Sequence, residues 1–191
     1  MMENKEDETP TSFDEYQIPI DILRAIYSSN YEKPTYVQHK SLSNLYSSKD
    51  LFLSSQTSAG KTTSYIIYSL SKIDISKTKD VQCLVLAARR DSAQIIEQQY
   101  KSLCKYSKIK MIAFVGGTSI REDIQNMNNG CQIVVGTPGR ILDMINKKIM
   151  SLNELKLFIV DEILELVNRG FTGSLQNIIK MINPQCQKAV F

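Results

Sequence analysis

Six short apolar runs, at residues 50–54, 83–87, 110–115, 131–135, 157–160 and 188–191, punctuate an otherwise mixed chain. Each has the length of a strand, and a strand that is apolar at successive positions is buried on both faces. Between the runs the apolar residues change period. Ile96, Tyr100, Leu103 and Cys104 recur at i, i+4, i+7 and i+8, and residues 142–145 fall in a similar stretch, which predicts helices. Residues 20–27 and 35–45 predict two further helices ahead of the first strand, joined by a turn over 30–34. Strands alternating with helices predict an α/β fold, a parallel sheet covered by helices on both faces. No internal repeat or glycine-rich linker interrupts the pattern, and 191 residues of which 42% are hydrophobic suffice for one sizeable core. Ligands of such sheets bind outside the carboxyl ends of the strands, so the loops after the strands are where chemistry is expected.

Charge refines this picture at the first residues. Residues 1–12 carry a net −3 and are expected to be a disordered acidic tail, which leaves +6 on residues 13–191. The basic excess suits an anionic partner, with a lysine-rich solvated surface as the competing reading. There is no basic start followed by an apolar core, and no segment reaches bilayer length. An intracellular protein of cytoplasm or nucleus, without a membrane partner, is expected. Cys83, Cys104, Cys131 and Cys186 are widely spaced without a C-x-x-C pair, which argues against zinc and disulfides and for buried small hydrophobes. His39 is the only histidine and is expected on a helix surface.

The chemistry begins where the first run ends, in Ser55-Gln56-Thr57-Ser58-Ala59-Gly60-Lys61-Thr62. A small polar loop that opens a helix can cradle a phosphate with backbone N–H groups, while a lysine neutralises outer phosphates and a hydroxyl holds Mg²⁺. Ser55 stands where the consensus has glycine, and a surface turn ending in G-K-T is the competing reading. The second element is Asp161-Glu162, delivered by the run at 157–160, 100 residues after Lys61. The aspartate can hold Mg²⁺ through its water shell and the glutamate can orient or deprotonate a water.

With these motifs the chain resembles the first RecA-like domain of the DEAD-box RNA helicases, a three-layer P-loop NTPase fold, and within them the translation-initiation branch. The resemblance divides the chain into an adenine-reading segment, 13–41, and an ATP-binding domain, 42–191. In Asn30-Tyr31-Glu32-Lys33-Pro34-Thr35-Tyr36-Val37-Gln38 it implies that Gln38 reads the adenine edge, that Tyr31 stacks on its face, that Lys33 belongs to the nucleotide site and that Phe13 supports the segment. It also implies RNA-backbone contacts from Arg90, from Gly116-Gly117 and from Thr137-Pro138-Gly139-Arg140, with Asn168-Arg169-Gly170-Phe171 extending the match. Glycines and a helix beginning near Pro138 suit close approach to a phosphodiester. The implied ligands are ATP, Mg²⁺ and RNA gripped without regard to sequence. The implied partners are a second RecA-like domain and protein cofactors.

Three departures from the family pattern stand out. The family's D-E-A-D is Asp161-Glu162-Ile163-Leu164, so the aspartate that links the nucleotide site to the next motif is an apolar residue. Ser58 replaces a glycine, at a cost of about 1–2 kcal/mol if the backbone there is left-handed. The chain stops at Ala189-Val190-Phe191, before the family's S-A-T motif. The expected function is therefore the ATP-binding domain of an ATP-dependent RNA helicase that by itself binds ATP weakly and hydrolyses it poorly. The alternative is a degenerate paralogue acting as a nucleotide- or RNA-binding clamp.

Overall fold

The computed structural model describes residues 12–56, 58–117 and 119–191. Their elements are α1 (Ile20–Ser28), α2 (Tyr36–Tyr46), β1 (Leu51–Phe52), α3 (Lys61–Lys72), β2 (Cys83–Leu86), α4 (Arg90–Leu103), β3 (Met111–Phe114), α5 (Ile120–Asn128), β4 (Ile133–Gly136), α6 (Pro138–Asn146), β5 (Leu157–Val160), α7 (Ile163–Asn168), α8 (Thr172–Met181) and β6 (Gln187–Val190). All six strands are parallel, in the order β1-β6-β5-β2-β4-β3. Every apolar run supplies a strand, and the parallel sheet with helices on both faces is the one the pattern predicts. The first strand is shorter than its run: only Leu51 and Phe52 pair, against Ala189 and Val190, at the sheet edge.

Of the four strands with neighbours on both sides, β2, β4 and β5 are buried at every residue, as uniformly apolar strands require, whereas β6 is buried only at Ala189. Alternation survives within them as a division between two cores. Cys83, Val85, Ile133, Val135, Leu157 and Ile159 face a core built with α1 to α4. Leu84, Leu86, Val134, Phe158 and Val160 face a second core built with α6 to α8. The register sets Val85 between Val135 and Ile159, so neighbouring strands present matching faces.

The segment ahead of the sheet is tied down at Phe13, which is completely buried and meets Tyr27 edge-on with ring centroids 6.5 Å apart. The Ser12 hydroxyl accepts from the Asp14 N–H at 3.0 Å and caps the short 3-10 turn Phe13–Glu15. The rest of the expected acidic tail lies outside the described residues. All four cysteines are buried free thiols, and burial pushes Cys83 and Cys131 up to about 12, which makes them unreactive hydrophobes. His39 is half-buried on α2, its Nδ1 2.8 Å from the Tyr16 hydroxyl.

Close packing at the end of β4 is testable. A Cβ on Gly136 would lie 2.6 Å from both Ile141 Cδ1 and the Phe114 carbonyl oxygen, whereas one on Gly139 would meet nothing within 4 Å. Urea unfolding should therefore show Gly136→Ala destabilised by about 1–3 kcal/mol, and Gly139→Ala unchanged to within about 0.5 kcal/mol.

Candidate functional site

Because all strands run the same way, the loops after β1, β2, β3, β4 and β5 emerge on one edge of the sheet. The strand order divides that edge. The loops after β1 and β5, with α2 packed beside them, border a cleft of about 610 Å³ lined by Tyr31, Lys33, Gln38, Ser58, Gly60, Lys61, Thr62, Asp161 and Glu162 among others. The loops after β2, β3 and β4 border a groove of about 640 Å³.

The loop of the cleft is held by its own residues. Lys61, at the first position of α3, donates its ammonium to the carbonyls of Ser55 and Gln56. Thr35 donates its hydroxyl to the Ala59 carbonyl at 3.1 Å, which fastens the loop to the start of α2. Thr35 and Gln38 form a reciprocal cap: the Gln38 amide oxygen accepts from the Thr35 N–H at 2.8 Å and the Thr35 hydroxyl from the Gln38 N–H at 3.2 Å. The Gln38 side chain is thereby fixed against Gly60, where a Cβ would come within 2.9 Å of it. Gly60 is left-handed at φ +98, and so is Ser58 at φ +63, the conformation in which serine carries the cost anticipated for it. Thr57 lies outside the described residues. Phe13 does not line the cleft but supports the segment from within the core.

Asp161 leaves the end of β5 with its N–H donating to the Leu86 carbonyl at 2.9 Å, and it is only 8% exposed. Burial is the main reason its carboxyl is raised above the ordinary aspartate range; a hydrogen bond from the Tyr65 hydroxyl at 2.9 Å opposes the shift. Glu162 follows at φ +52, an uncommon conformation for glutamate that concentrates at functional sites, and it begins α7. No group of three or more His, Cys, Asp or Glu side chains able to hold a metal occurs among the described residues. A buried carboxylate and the Thr62 hydroxyl, both hard oxygen donors, nevertheless fit Mg²⁺, which keeps waters and phosphate oxygens as its other ligands.

The groove is lined by Arg89, Arg90, Gly116, Thr137, Gly139, Arg140, Asp143, Arg169 and Phe171 among others. Arg90 lies along the Gly116-Gly117 turn: a Cβ on Gly117 would come within 2.5 Å of its guanidinium. Thr137 precedes α6 with Pro138 in the first turn, and its hydroxyl caps nothing. Arg140 pairs through Nε with Asp123 Oδ2 at 3.1 Å, both side chains less than a tenth exposed. The pair ties α5 to α6, so Arg140 serves the shape of the groove as much as its charge.

A family model, the DEAD/DEAH box helicases, matches residues 35–191. The chain belongs to that family. Eukaryotic initiation factor 4A of Drosophila melanogaster is 37% identical over 176 residues, 92% of this chain and 43% of that protein. ATP-dependent RNA helicase eIF4A of Coccidioides immitis is 34% identical over 189 residues, 99% of this chain and 47% of that one. A solved DEAD box protein from the hyperthermophile Methanococcus jannaschii superposes with a TM-score of 0.89 at 30% identity, covering 96% of this chain and 50% of that structure. The chain thus spans about half the length of the curated relatives it matches.

As a DEAD/DEAH box domain it brings Gln38, the Lys61 loop and Asp161-Glu162 into one cleft, and five of the seven residues expected to face RNA into one groove, with Gly117 beneath Arg90 and Pro138 buried in the first turn of α6. Leu164, in the place of the family's second aspartate, is 77% exposed on α7. Sequence reasoning missed Thr35, although T-x-x-Q ahead of a helix is a capping signature. It also missed Tyr65, which reads as one more core aromatic although it stands three residues after Thr62, on the same helix face.

The raised carboxyl has a direct consequence. An acid raised in the folded state costs nothing below the normal carboxylate range, and its cost to the fold builds as pH rises from that range and is complete above the raised value. Asp161→Asn should therefore raise stability at pH 7 by about 1 kcal/mol, measured by urea unfolding, and the gain should fade toward about pH 4.

Proposed function

We propose that this domain binds ATP with Mg²⁺ in the cleft and an RNA backbone in the groove, as the ATP-binding half of an RNA helicase that couples nucleotide binding and hydrolysis to local strand separation. The observation that carries the reading is the meeting of Gln38, Lys61, Thr62, Asp161 and Glu162 in a single cleft at the carboxyl edge of the sheet. The names of the two initiation-factor relatives support it.

In this reading the Lys61 ammonium exchanges the Ser55 and Gln56 carbonyls for phosphate oxygens, a trade of dipoles for full charges. The loop N–H groups and the start of α3 add their positive end. Tyr31, half-buried against the core beside the cleft, offers an aromatic face to the base. Thr62 and Asp161 are the residues that would hold Mg²⁺, which supplies neutralisation of the charge on the outer phosphates. Glu162, half-buried at the mouth of α7, orients the attacking water and can take its proton. Arg90 and the amino end of α6 grip phosphodiesters, a backbone contact that reads no sequence. Completion by a second RecA-like domain bearing arginines would be worth about 10³–10⁵ in rate, so the isolated domain is a loading site.

Leu164 favours one variant of this reading. An exposed apolar side chain accepts no hydrogen bond, and a domain that binds both ligands while coupling them poorly would act as a clamp. A large gain in RNA-stimulated ATP turnover on Leu164→Asp in the complete gene product would select the clamp, and no gain would discard it.

Two substitutions test the nucleotide site. Lys61→Ala should weaken binding of a fluorescent ATP analogue at least about tenfold, the worth of a charge-assisted contact, and an unchanged affinity would refute the site. Ser58→Gly removes the left-handed strain and should tighten the same analogue by about two- to tenfold if that strain opposes the bound loop.

A further inference from the structure

Beneath the cleft the Tyr65 ring is completely buried, wedged against Phe191 with ring centroids 5.1 Å apart. Packing alone would ask for phenylalanine here, because a phenol hydroxyl taken out of water must be given a partner. Its partner is the site itself. The hydroxyl donates to Asp161 Oδ2 at 2.9 Å.

We propose that Tyr65 is a positioning residue that holds Asp161 in a fixed orientation against the helix that carries Thr62, presetting the two Mg²⁺-holding residues. The inference rests on the reading of the cleft as an Mg²⁺–nucleotide site. The phenol proton occupies one oxygen of Asp161 and fixes the carboxylate's rotation. Because Tyr65 stands one helical turn after Thr62 on α3 and Asp161 sits at the end of β5, the hydroxyl ties the phosphate loop's helix to the acidic strand end. Rigid support of this kind sets how well a ligand shell is oriented.

The test is fluorescence titration of a labelled ADP in EDTA and in Mg²⁺, read as the gain in affinity that Mg²⁺ brings. Tyr65→Phe keeps the ring, and its gain should fall roughly tenfold against the unsubstituted chain, about what one hydrogen bond to a charged group is worth. In an Asp161→Asn background the same substitution should do nothing further, since the two act as a unit. An unchanged gain in Tyr65→Phe, or an equal loss with and without Asp161, would overturn the assignment and leave the cleft's function standing. Unsubstituted protein that binds no labelled nucleotide in either condition would overturn both. Thermal melting of each variant separates loss of the metal effect from loss of fold: a Tyr65→Phe protein whose affinities in EDTA and Mg²⁺ fall equally is loosened rather than mispositioned, and that result too would overturn the proposal.

Discussion

A carboxylate taken almost entirely out of water at the end of β5 is the constraint around which the edge of this sheet is organised. Asp161 is there because its strand is the partner of β2 and its own N–H closes that pairing on Leu86. Its burial is uncomfortable, and the fold tolerates it with one phenol beneath and the Lys61 loop across the cleft. Such a group is weakly justified by stability alone. In the proposed reading it is justified by the cation that a dry, aimed carboxylate can hold.

The loop opposite is strained in the complementary sense. Ser58 and Gly60 both take left-handed backbone, and the lysine is engaged with carbonyls of its own loop rather than with a carboxylate. These contacts engage the ammonium with neutral dipoles, which in the proposed reading a phosphate outcompetes by charge. Thr35 adds a tether to Ala59, which joins the segment carrying Tyr31 and Gln38 to the loop.

Much of this was legible in the chain. Apolar runs of strand length marked all six strands, most plainly β2, β4 and β5, which are buried throughout and admit little else, and the order of motifs placed the chemistry at the strand ends. Legibility failed where a residue's partner is distant in sequence. Nothing local distinguishes Tyr65 from its neighbours in the core, since the carboxylate it serves is 96 positions away. Asp123 reads as an ordinary acid in the first turn of α5 until the fold brings it to Arg140. The apolar run at 50–54 overstated the first strand, which is in register with β6 only at Leu51 and Phe52, with the Leu53 N–H donating to the Val190 carbonyl beyond them.

The left-handed turn at Glu162 has one more implication. α7 leaves from it, and seven residues later Arg169 caps the same helix as a wall of the groove. The helix is about 9 Å long at 1.5 Å per residue, too short to bend. It begins at a wall of the cleft and finishes at a wall of the groove, so a single short helix spans the distance between the two.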